Sequence, residues 1–331
     1  MKKRALIVGA HNPYPAVDGG IERLLVDYQA HIFSDYDVYY LVYESGDPAE
    51  MFHYGEPVRG KITSAKLLKM NFEFALFFNY NTDHRENDFI KSLREQIPSF
   101  CFNQDHPVRT ISDECFRGII THRSSRPHKD VLVIGGSFDS RVFYKNRSGE
   151  EFIICVARVT PGKGQLELAS RYRERIYNRY KLPLYLVGGT YHLNFFRRLN
   201  KYIDNVSVHS TIDPEDPLAA TNWWDSKKIA AICNRARMFV MPSPKESFCI
   251  ALVEALACGT TCVVNGSYRG FKSQELRPYV YGHIDGKRGC TLDLVEEVLR
   301  REIRMDGSEW VKKYSLIEAK KAILQFFRER L

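Results

Sequence analysis

The chain has 331 residues, of which 44% are hydrophobic and 27% are charged, as in a soluble globular protein with room for two domains. No apolar run approaches the ~18 residues that a membrane-spanning helix needs, which argues against an integral membrane protein. The formal net charge of +8 favours anionic partners such as phosphates, acidic lipids or nucleic acid, although solvated surface cations would give the same total.

The first half of the chain alternates strand and helix signals. Short apolar runs predict strands, and a stripe of apolar residues over 19–33 predicts a helix. Residues 111–120 predict a second, short helix. The predicted strands are 4–10, 36–43, 72–80, 98–104 and 129–136. This alternation indicates a parallel sheet with helices on both faces.

A polar segment without periodicity, residues 136–151, is interpreted as the link between two domains. After it the alternation restarts, and the last forty residues read as helices. The predicted strands are 151–159, 182–189, 205–210, 237–243 and 260–266, and the predicted helices are 163–177, 191–203, 226–236 and 247–259. We therefore predict an α/β fold of two doubly wound domains facing each other across a cleft, with ligands at the carboxyl ends of the strands.

The eight cysteines form no Cys-x2-Cys pair, which argues against a zinc site or a redox motif. Most lie in apolar patterns, as buried thiols do, and fit a reducing compartment. The first apolar run, residues 5–10, is too short for the core of a signal peptide. We expect the protein in the cytoplasm, with peripheral contact at the inner face of the membrane as an option.

Two cations follow the first strand of the second half. Arg158 ends the strand, and Lys163 follows five residues later, beside glycines and the start of a helix. A guanidinium grips two oxygens in a planar fork and an ammonium adds a point charge, so the pair suits a diphosphate. An exposed turn with incidental charges is the alternative.

Gly19 and Gly20 begin the first predicted helix. Without side chains, they would let an anionic ligand approach the N–H groups at the positive end of that helix. Glu22 complements the helix dipole there, which is its structural role. Many helices start with Gly-Gly, so this signal is weak.

Two glutamates, Glu246 and Glu254, flank and enter an otherwise apolar helix. Ser247 is predicted to cap that helix near Phe248, which leaves the amides of residues 248–250 as donors for a phosphate or sugar oxygen. Glu246 can accept hydrogen bonds from sugar hydroxyls. Burying an unpaired carboxylate costs several kcal/mol, so we expect Glu254 to bind ribose hydroxyls rather than to face solvent. The three amide donors are those of Phe248, Cys249 and Ile250.

The stretch PSPKESFCIALVEALACGTTCVV, residues 242–264, resembles the Glu-x7-Glu signature of glycosyltransferase family 4, retaining enzymes with the GT-B fold. Further segments resemble the family's motifs in the same order, over nearly the whole chain. They are PYPAVDGGIERLL, GGSFDSRVF, VARVTPGKGQLEL, LYLVGGTY and VSVHSTI.

The resemblance implies a domain plan. Residues 1–146 would be an N-terminal Rossmann-like domain that binds the acceptor, and residues 147–312 a C-terminal Rossmann-like domain that binds the nucleotide sugar. Residues 313–331 would be a C-terminal helix that can cross back to the N-terminal domain.

The resemblance also implies roles. Arg158 and Lys163 would neutralise the departing diphosphate, Glu254 would hold the ribose, and Glu246 with the amides after it would hold the donor sugar. The remaining implied donor contacts are the amide of Gly20 for the diphosphate, Gly189 and the backbone at Thr211 for the base, and His106 beside the sugar. The alternative for His106 is a histidine in a surface loop.

Family members need no divalent ion, and no Asp-x-Asp motif stands in a suitable context, so neither cofactor nor metal is expected. Preorganised cations and helix ends would stabilise the leaving group. This chain departs from the pattern at Ser247 and Cys249, where the family has glycines, and over 266–275, which leaves the choice of sugar open. Trp223 and Trp224 could stack on a base or sugar, or pack beneath their loop.

The leading hypothesis is a retaining hexosyltransferase using a UDP-sugar, with a GDP-sugar second. The acceptor would be a hydroxyl of a lipid-linked or surface glycan, with basic segments resting on an acidic membrane. A phage-type enzyme acting on hydroxymethylated DNA is one alternative. A non-catalytic nucleotide-sugar-binding module and a sugar-nucleotide isomerase are the others.

Overall fold

The fold is an α/β architecture divided into two compact units, as seen in a computed structural model. One unit comprises Met1–Ser137 with Leu316–Leu331, and the other comprises Phe138–Ser315. The structure describes residues 2–9, 20–44, 47–53, 55–78, 88–103, 116–121, 130–190, 192–204, 206–211, 225–244, 246, 248–265, 273–282 and 291–331.

The first unit contains an eight-stranded sheet in the order β4-β3-β2-β1-β5-β6-β7-β8. All neighbours pair in parallel except β2 with β3 and β3 with β4, which are antiparallel. The strands are β1 Lys3–Gly9, β2 Tyr36–Glu44, β3 Asp47–His53, β4 Glu56–Pro57, β5 Phe72–Phe78, β6 Ser99–Asn103, β7 Gly118–Thr121 and β8 Val131–Val133. The predicted helix over 111–120 is wrong at its end, because the apolar residues from 118 onward are buried and pair with β6.

The first unit has three helices between its described strands. The predicted first helix is confirmed: α1 spans Gly20–Asp27 and continues through a π-helical turn, Tyr28–Ile32. Its buried residues Leu24, Leu25 and Tyr28 follow the predicted stripe. The other two helices are α2 Ser64–Lys69 and α3 Asp88–Gln96.

The C-terminal helix, Leu316–Arg328, belongs to the core of this first unit. The ring of Phe327 is 1% exposed and stacks on Phe100 with centroids 4.1 Å apart. It also meets Phe74 at 4.7 Å. Gly118 allows the helix to approach β7, because a Cβ there would lie 2.5 Å from the ring of Phe326. Aromatic packing therefore fixes the end of the chain to the N-terminal sheet.

Replacing Phe327 with alanine is expected to lower the free energy of unfolding of the first unit by about 3–5 kcal/mol, because the ring is fully buried and a cavity remains. Urea denaturation measures the loss. Ile317→Ala, on the same helix at a side chain 53% exposed, is the control and should cost little. Equal losses for the two variants would contradict this packing.

The described residues of the second unit form a sheet of six strands, all parallel, in the order β11-β10-β9-β12-β13-β14. They are β9 Ile153–Val156, β10 Leu184–Val187, β11 Val208–Ser210, β12 Met238–Met241, β13 Cys262–Val264 and β14 Val280–Tyr281. The strands are almost continuously apolar, as strands covered on both faces are. The order reverses between β9 and β12, which marks the topological switch point where ligands bind in such sheets.

Helices alternate with these strands as the sequence predicted. They are α4 Gln165–Ser170, α5 Asn178–Tyr180, α6 Leu193–Asn200, α7 Ser226–Arg235, α8 Ile250–Ala257, α9 Ser273–Leu276 and α10 Thr291–Arg300. A π-helical turn, Arg173–Tyr177, separates α4 from α5, and a 3₁₀ turn, Trp310–Tyr314, ends the unit.

The predicted domain boundary at residue 146 falls inside the second unit. Phe138 and Phe143 are each 1% exposed and pack in its core. The amide of Asn146 donates to Asn234 Oδ1 at 2.7 Å, and Arg147 donates to the carbonyls of Cys233 and Ala236. The polar segment is therefore tied to α7 and does not serve as a free linker.

Three segments of the sequence are dense in Lys and Arg: residues 123–129, residues 171–181 and the C-terminal segment from Lys312 to Arg330. The last two carry many ion pairs. Their acidic partners are exposed or half-buried, so the positive charge of these segments is partly balanced locally. The pairs are Arg173–Asp204, Arg175–Asp293, Arg175–Glu296, Arg179–Glu296, Lys312–Glu309, Lys313–Glu275, Lys320–Asp35, Lys321–Glu318 and Arg330–Asp130. The segment 123–129 lies outside the described residues.

Within the described ranges, no helix combines the length and the apolar character that crossing a bilayer requires.

Candidate active site

The switch point of the second sheet brings together the loops that carry the predicted cations and the first glutamate. Arg158 and Lys163 follow β9, and Glu246 follows β12. These two strands are hydrogen-bonded neighbours. Because the sheet is parallel, the loops that carry these three residues leave it at the same edge.

A tight turn projects Lys163. Its amide donates to the carbonyl of Thr160 at 3.2 Å, with Pro161 and Gly162 between them. Gly162 has φ +91°, and proline followed by such a glycine is the signature of a type II turn. The proline and the glycine thus set the direction in which the lysine leaves the loop.

The next glycine packs this turn against the chain leaving β12. Gly164 has φ +77°, and a Cβ there would lie 2.8 Å from the carbonyl oxygen of Pro242. That same carbonyl accepts a hydrogen bond from Asn265 Nδ2 at 2.8 Å. Asn265, at the end of β13, was not singled out from the sequence. It holds the β12 loop where Gly164 can meet it.

This close approach can be tested with two glycines of the same loop. Gly164→Ala is expected to lower the free energy of unfolding by about 1–2 kcal/mol more than Gly162→Ala. Both alanines would adopt an unfavourable positive φ, but a Cβ at Gly162 meets nothing within 4 Å. Urea denaturation of the two variants measures the difference, and equal costs would contradict the contact with Pro242.

The central feature of the site is an ion pair between Lys163 and Glu246. Lys163 Nζ donates to both Oε1 and Oε2 of Glu246, each at 2.7 Å, although the residues are 83 positions apart. The lysine side chain is 31% exposed and the glutamate 11%. The sequence analysis assigned Lys163 to the diphosphate and Glu246 to the donor sugar, and it did not predict that the two residues pair with each other.

Two thiols border this pair and stay protonated at neutral pH. Burial, reinforced by the charge of Glu246, raises the pKa of Cys155 to about 12. The same two causes raise the pKa of Cys249 well above its usual range. Thiolates therefore do not compete with Glu246 for Lys163.

Helix α8 starts later than predicted. Its cap residue is Cys249, in the left-handed region at φ +61°, and it forms no side-chain cap. The predicted capping by Ser247 near Phe248 is wrong, because the left-handed residue interrupts helical geometry before Ile250. Ser247 itself lies outside the described residues, and Phe248 is 3% exposed in the core. The amides of Leu252 and Val253 in the first turn of α8 donate to the carbonyl of Cys249, at 3.1 and 3.4 Å.

Cys249 occupies a position where the resemblance expects glycine, and the backbone explains that expectation. A left-handed conformation is unstrained for glycine and costs other residues about 1–2 kcal/mol. This chain keeps the glycine-like backbone with a cysteine side chain.

Glu254 is 1% exposed in the middle of α8. The alternative of a solvent-facing helix residue is therefore excluded. Its predicted contact with ribose hydroxyls remains a prediction.

The predicted base-binding residues, Gly189 and Thr211, form hydrogen bonds between the ends of neighbouring strands. Gly189 is buried, and its carbonyl accepts from the amide of Val159 at 2.9 Å. Thr211 Oγ1 accepts from the amide of Gly188 at 3.3 Å. Both residues thus lie at the same edge of the sheet as Arg158.

The backbone of Arg158 is held by a residue that the sequence did not suggest. Gln165, 1% exposed at the start of α4, donates from Nε2 to the Arg158 carbonyl at 2.8 Å. The contact depends on the burial of Gln165, which the sequence alone does not show.

Several sequence predictions cannot be placed at this site. Gly20 is the first residue of α1 in the other unit. Gly19, His106, Trp223 and Trp224 lie outside the described residues. Among the residues that are described, no group of three or more His, Cys, Asp and Glu side chains could hold a metal.

The part of the chain that carries this geometry matches a known family. Residues 138–276 match the model described as Glycosyl transferases group 1. This match supports glycosyl transfer as the activity of the segment that contains Arg158, Lys163 and Glu246. A search of curated proteins found no match.

Solved structures share the architecture across the chain. Sucrose-phosphate synthase from Thermosynechococcus elongatus is similar with a TM-score of 0.63 and 14% identity, covering 99% of both chains. Anabaena Alr3699/HepE in complex with UDP gives 0.64 and 12%, covering 99% of this chain and 100% of that one. The lipopolysaccharide outer core galactosyltransferase WaaB, in its apo form, gives 0.60 and 12%, with the same coverage. The predicted GT-B fold class, with two α/β units, is confirmed.

Proposed function

We propose that the protein is a retaining glycosyltransferase that moves a sugar from a nucleotide-sugar donor to a hydroxyl acceptor. The observation that carries this proposal is the pairing of Lys163 with Glu246 at the switch point of the second sheet, where the strand before Arg158 also ends. A cation suited to a diphosphate and an acid suited to sugar hydroxyls lie within one hydrogen bond of each other. A sugar nucleotide presents both groups, since its diphosphate is bonded to the anomeric carbon of the sugar that carries the hydroxyls.

In the proposed reaction, the bond between the sugar's anomeric carbon and the diphosphate oxygen breaks, and a bond to the acceptor oxygen forms on the same face. The leaving phosphate oxygen takes the acceptor proton. Arg158 and Lys163 stabilise the charge that develops on the diphosphate, as preorganised electrostatic groups do. Glu246 orients the sugar and Glu254 the ribose. A divalent ion is not part of this proposal.

UDP is the nucleotide proposed first and GDP second. The Anabaena protein, which has a similar fold, was solved in complex with UDP, and this supports UDP ahead of GDP. A galactosyltransferase of lipopolysaccharide has the same fold, which supports a surface glycan or glycolipid as the acceptor.

The described residues do not favour a DNA acceptor, because Arg173, Arg175 and Arg179 face acidic partners within their own unit. We also propose peripheral contact with an acidic membrane.

A non-catalytic binding module would bind the donor without turnover, and an isomerase would convert the donor without an acceptor. An assay with and without acceptor separates these outcomes.

A thermal-shift screen with UDP-, GDP-, ADP- and dTDP-sugars tests the donor. A UDP-sugar at 100 times its Kd should stabilise the folded protein by about 2.7 kcal/mol and raise Tm by about 4 °C. UMP and the free sugar, which lack the diphosphate, are the controls. If no nucleotide sugar raises Tm, the proposed function is wrong. The anomeric configuration of the product, read by NMR, tests retention.

A further inference from the structure

We infer that Glu246 controls how tightly the site holds a diphosphate, by exchanging partners with Lys163. In this exchange the lysine passes from Glu246 to the diphosphate when an intact donor binds, and returns to Glu246 after the sugar has left. The inference rests on the proposed function and adds a second role for Glu246, in favouring intact donor over nucleoside diphosphate product.

Lys163 and Glu246 form a close ion pair in which one ammonium meets both carboxylate oxygens. Both carboxylate oxygens of Glu246 lie 2.7 Å from Lys163 Nζ. The ammonium has three donors, and two of them point at this carboxylate. The carboxylate thus largely cancels the charge of the lysine, so a diphosphate meets a weaker positive field than Lys163 alone would provide.

The burial of Glu246 strengthens its competition with a diphosphate for Lys163. Glu246 is 11% exposed, so water replaces its lysine partner poorly. Removing hydrogen bonds from a largely buried carboxylate costs free energy. A nucleoside diphosphate that draws Lys163 away therefore takes two hydrogen bonds from Glu246. An intact donor does not, because its sugar hydroxyls take the place of the lysine on the carboxylate.

Removing the charge of Glu246 should therefore change the affinities for UDP and for a UDP-sugar in opposite directions. Removing the charge of Glu246 should tighten the binding of UDP, because Lys163 is released. It should weaken the binding of a UDP-sugar, because the hydroxyls lose their acceptor. A general change in electrostatic potential would move both affinities in the same direction.

Calorimetric titration of UDP and UDP-glucose, with GDP and GDP-mannose as the second pair, tests this. We expect Glu246→Gln to bind the nucleoside diphosphate about tenfold more tightly than the unmodified protein and the sugar nucleotide several-fold more weakly. In a Lys163→Ala background, the same substitution should give no gain for the diphosphate, because the competing partner is gone. Glu246→Ala repeats the test with a shorter side chain, and thermal melts check that each variant folds.

Glu174→Gln is the matched control, since it removes one exposed carboxylate of the same unit outside the pair. It should change neither affinity by more than about twofold. If the unmodified protein binds none of these ligands, nor inorganic pyrophosphate, the proposed function fails. If it binds the diphosphate and Glu246→Gln binds it no more tightly, the exchange is wrong and the proposed function stands. A gain that persists in the Lys163→Ala background also overturns the exchange.

Discussion

Replacing Glu246 with alanine is expected to abolish sugar transfer while the fold survives. Glu246 lies in the loop after β12 rather than in a helix or strand, so its removal leaves the core intact. In the proposed site, it is the acid that orients the donor sugar over the diphosphate. Loss of one such preorganised contact costs about 10²- to 10³-fold in rate. Product formation under single-turnover conditions measures the effect, and a thermal melt checks the fold.

Glu174→Ala is the control for this variant, because Glu174 is an exposed acid of the same unit. It should retain full turnover. Wild-type turnover in Glu246→Ala would refute the assignment of the residue to the donor sugar.

Replacing Lys163 with alanine is expected to weaken the binding of a nucleoside diphosphate by roughly 1.5–3 kcal/mol, typical of a hydrogen bond to a charged group. We expect the loss of binding free energy to lie toward the lower end of this range. In the unmodified protein, breaking the ion pair with Glu246 offsets part of the free energy that Lys163 gains from the diphosphate. Calorimetry with UDP and GDP measures the change.

Lys181→Ala, at an exposed lysine over the ring of Tyr177, is the matched control and should leave the affinity unchanged. An unaltered affinity for both nucleotides in Lys163→Ala would contradict the diphosphate role of Lys163. The affinity of the double variant with Glu246→Gln shows how much of the loss depends on the pair.

The strands of the second sheet could be predicted because buried parallel strands are short apolar runs, as in β9 and β12. The antiparallel strand β3, Asp47–His53, could not, since its sequence DPAEMFH carries polar and charged residues and a proline. The position of the cations and Glu246 at one sheet edge followed from the alternation of strands and helices. Strand ends are local features, and local features are what sequence patterns report.

The ion pair between Lys163 and Glu246 could not be predicted from the sequence. It depends on two loops that meet in space because Gly164 packs on Pro242. The balance of charge in the basic segments was missed for the same reason. Arg175, for example, pairs with Asp293 and Glu296, more than 100 positions along the chain. Spacing along a sequence does not report contacts of that kind.

The decisive measurement is a crystal structure of the protein bound to the sugar nucleotide that gives the largest thermal shift. We expect the diphosphate within hydrogen-bond distance of Arg158 and Lys163, with the Lys163–Glu246 pair opened and Glu246 on the sugar hydroxyls. A nucleotide bound away from these residues would refute the proposed donor site, and a nucleotide bound with the pair still closed would refute the exchange.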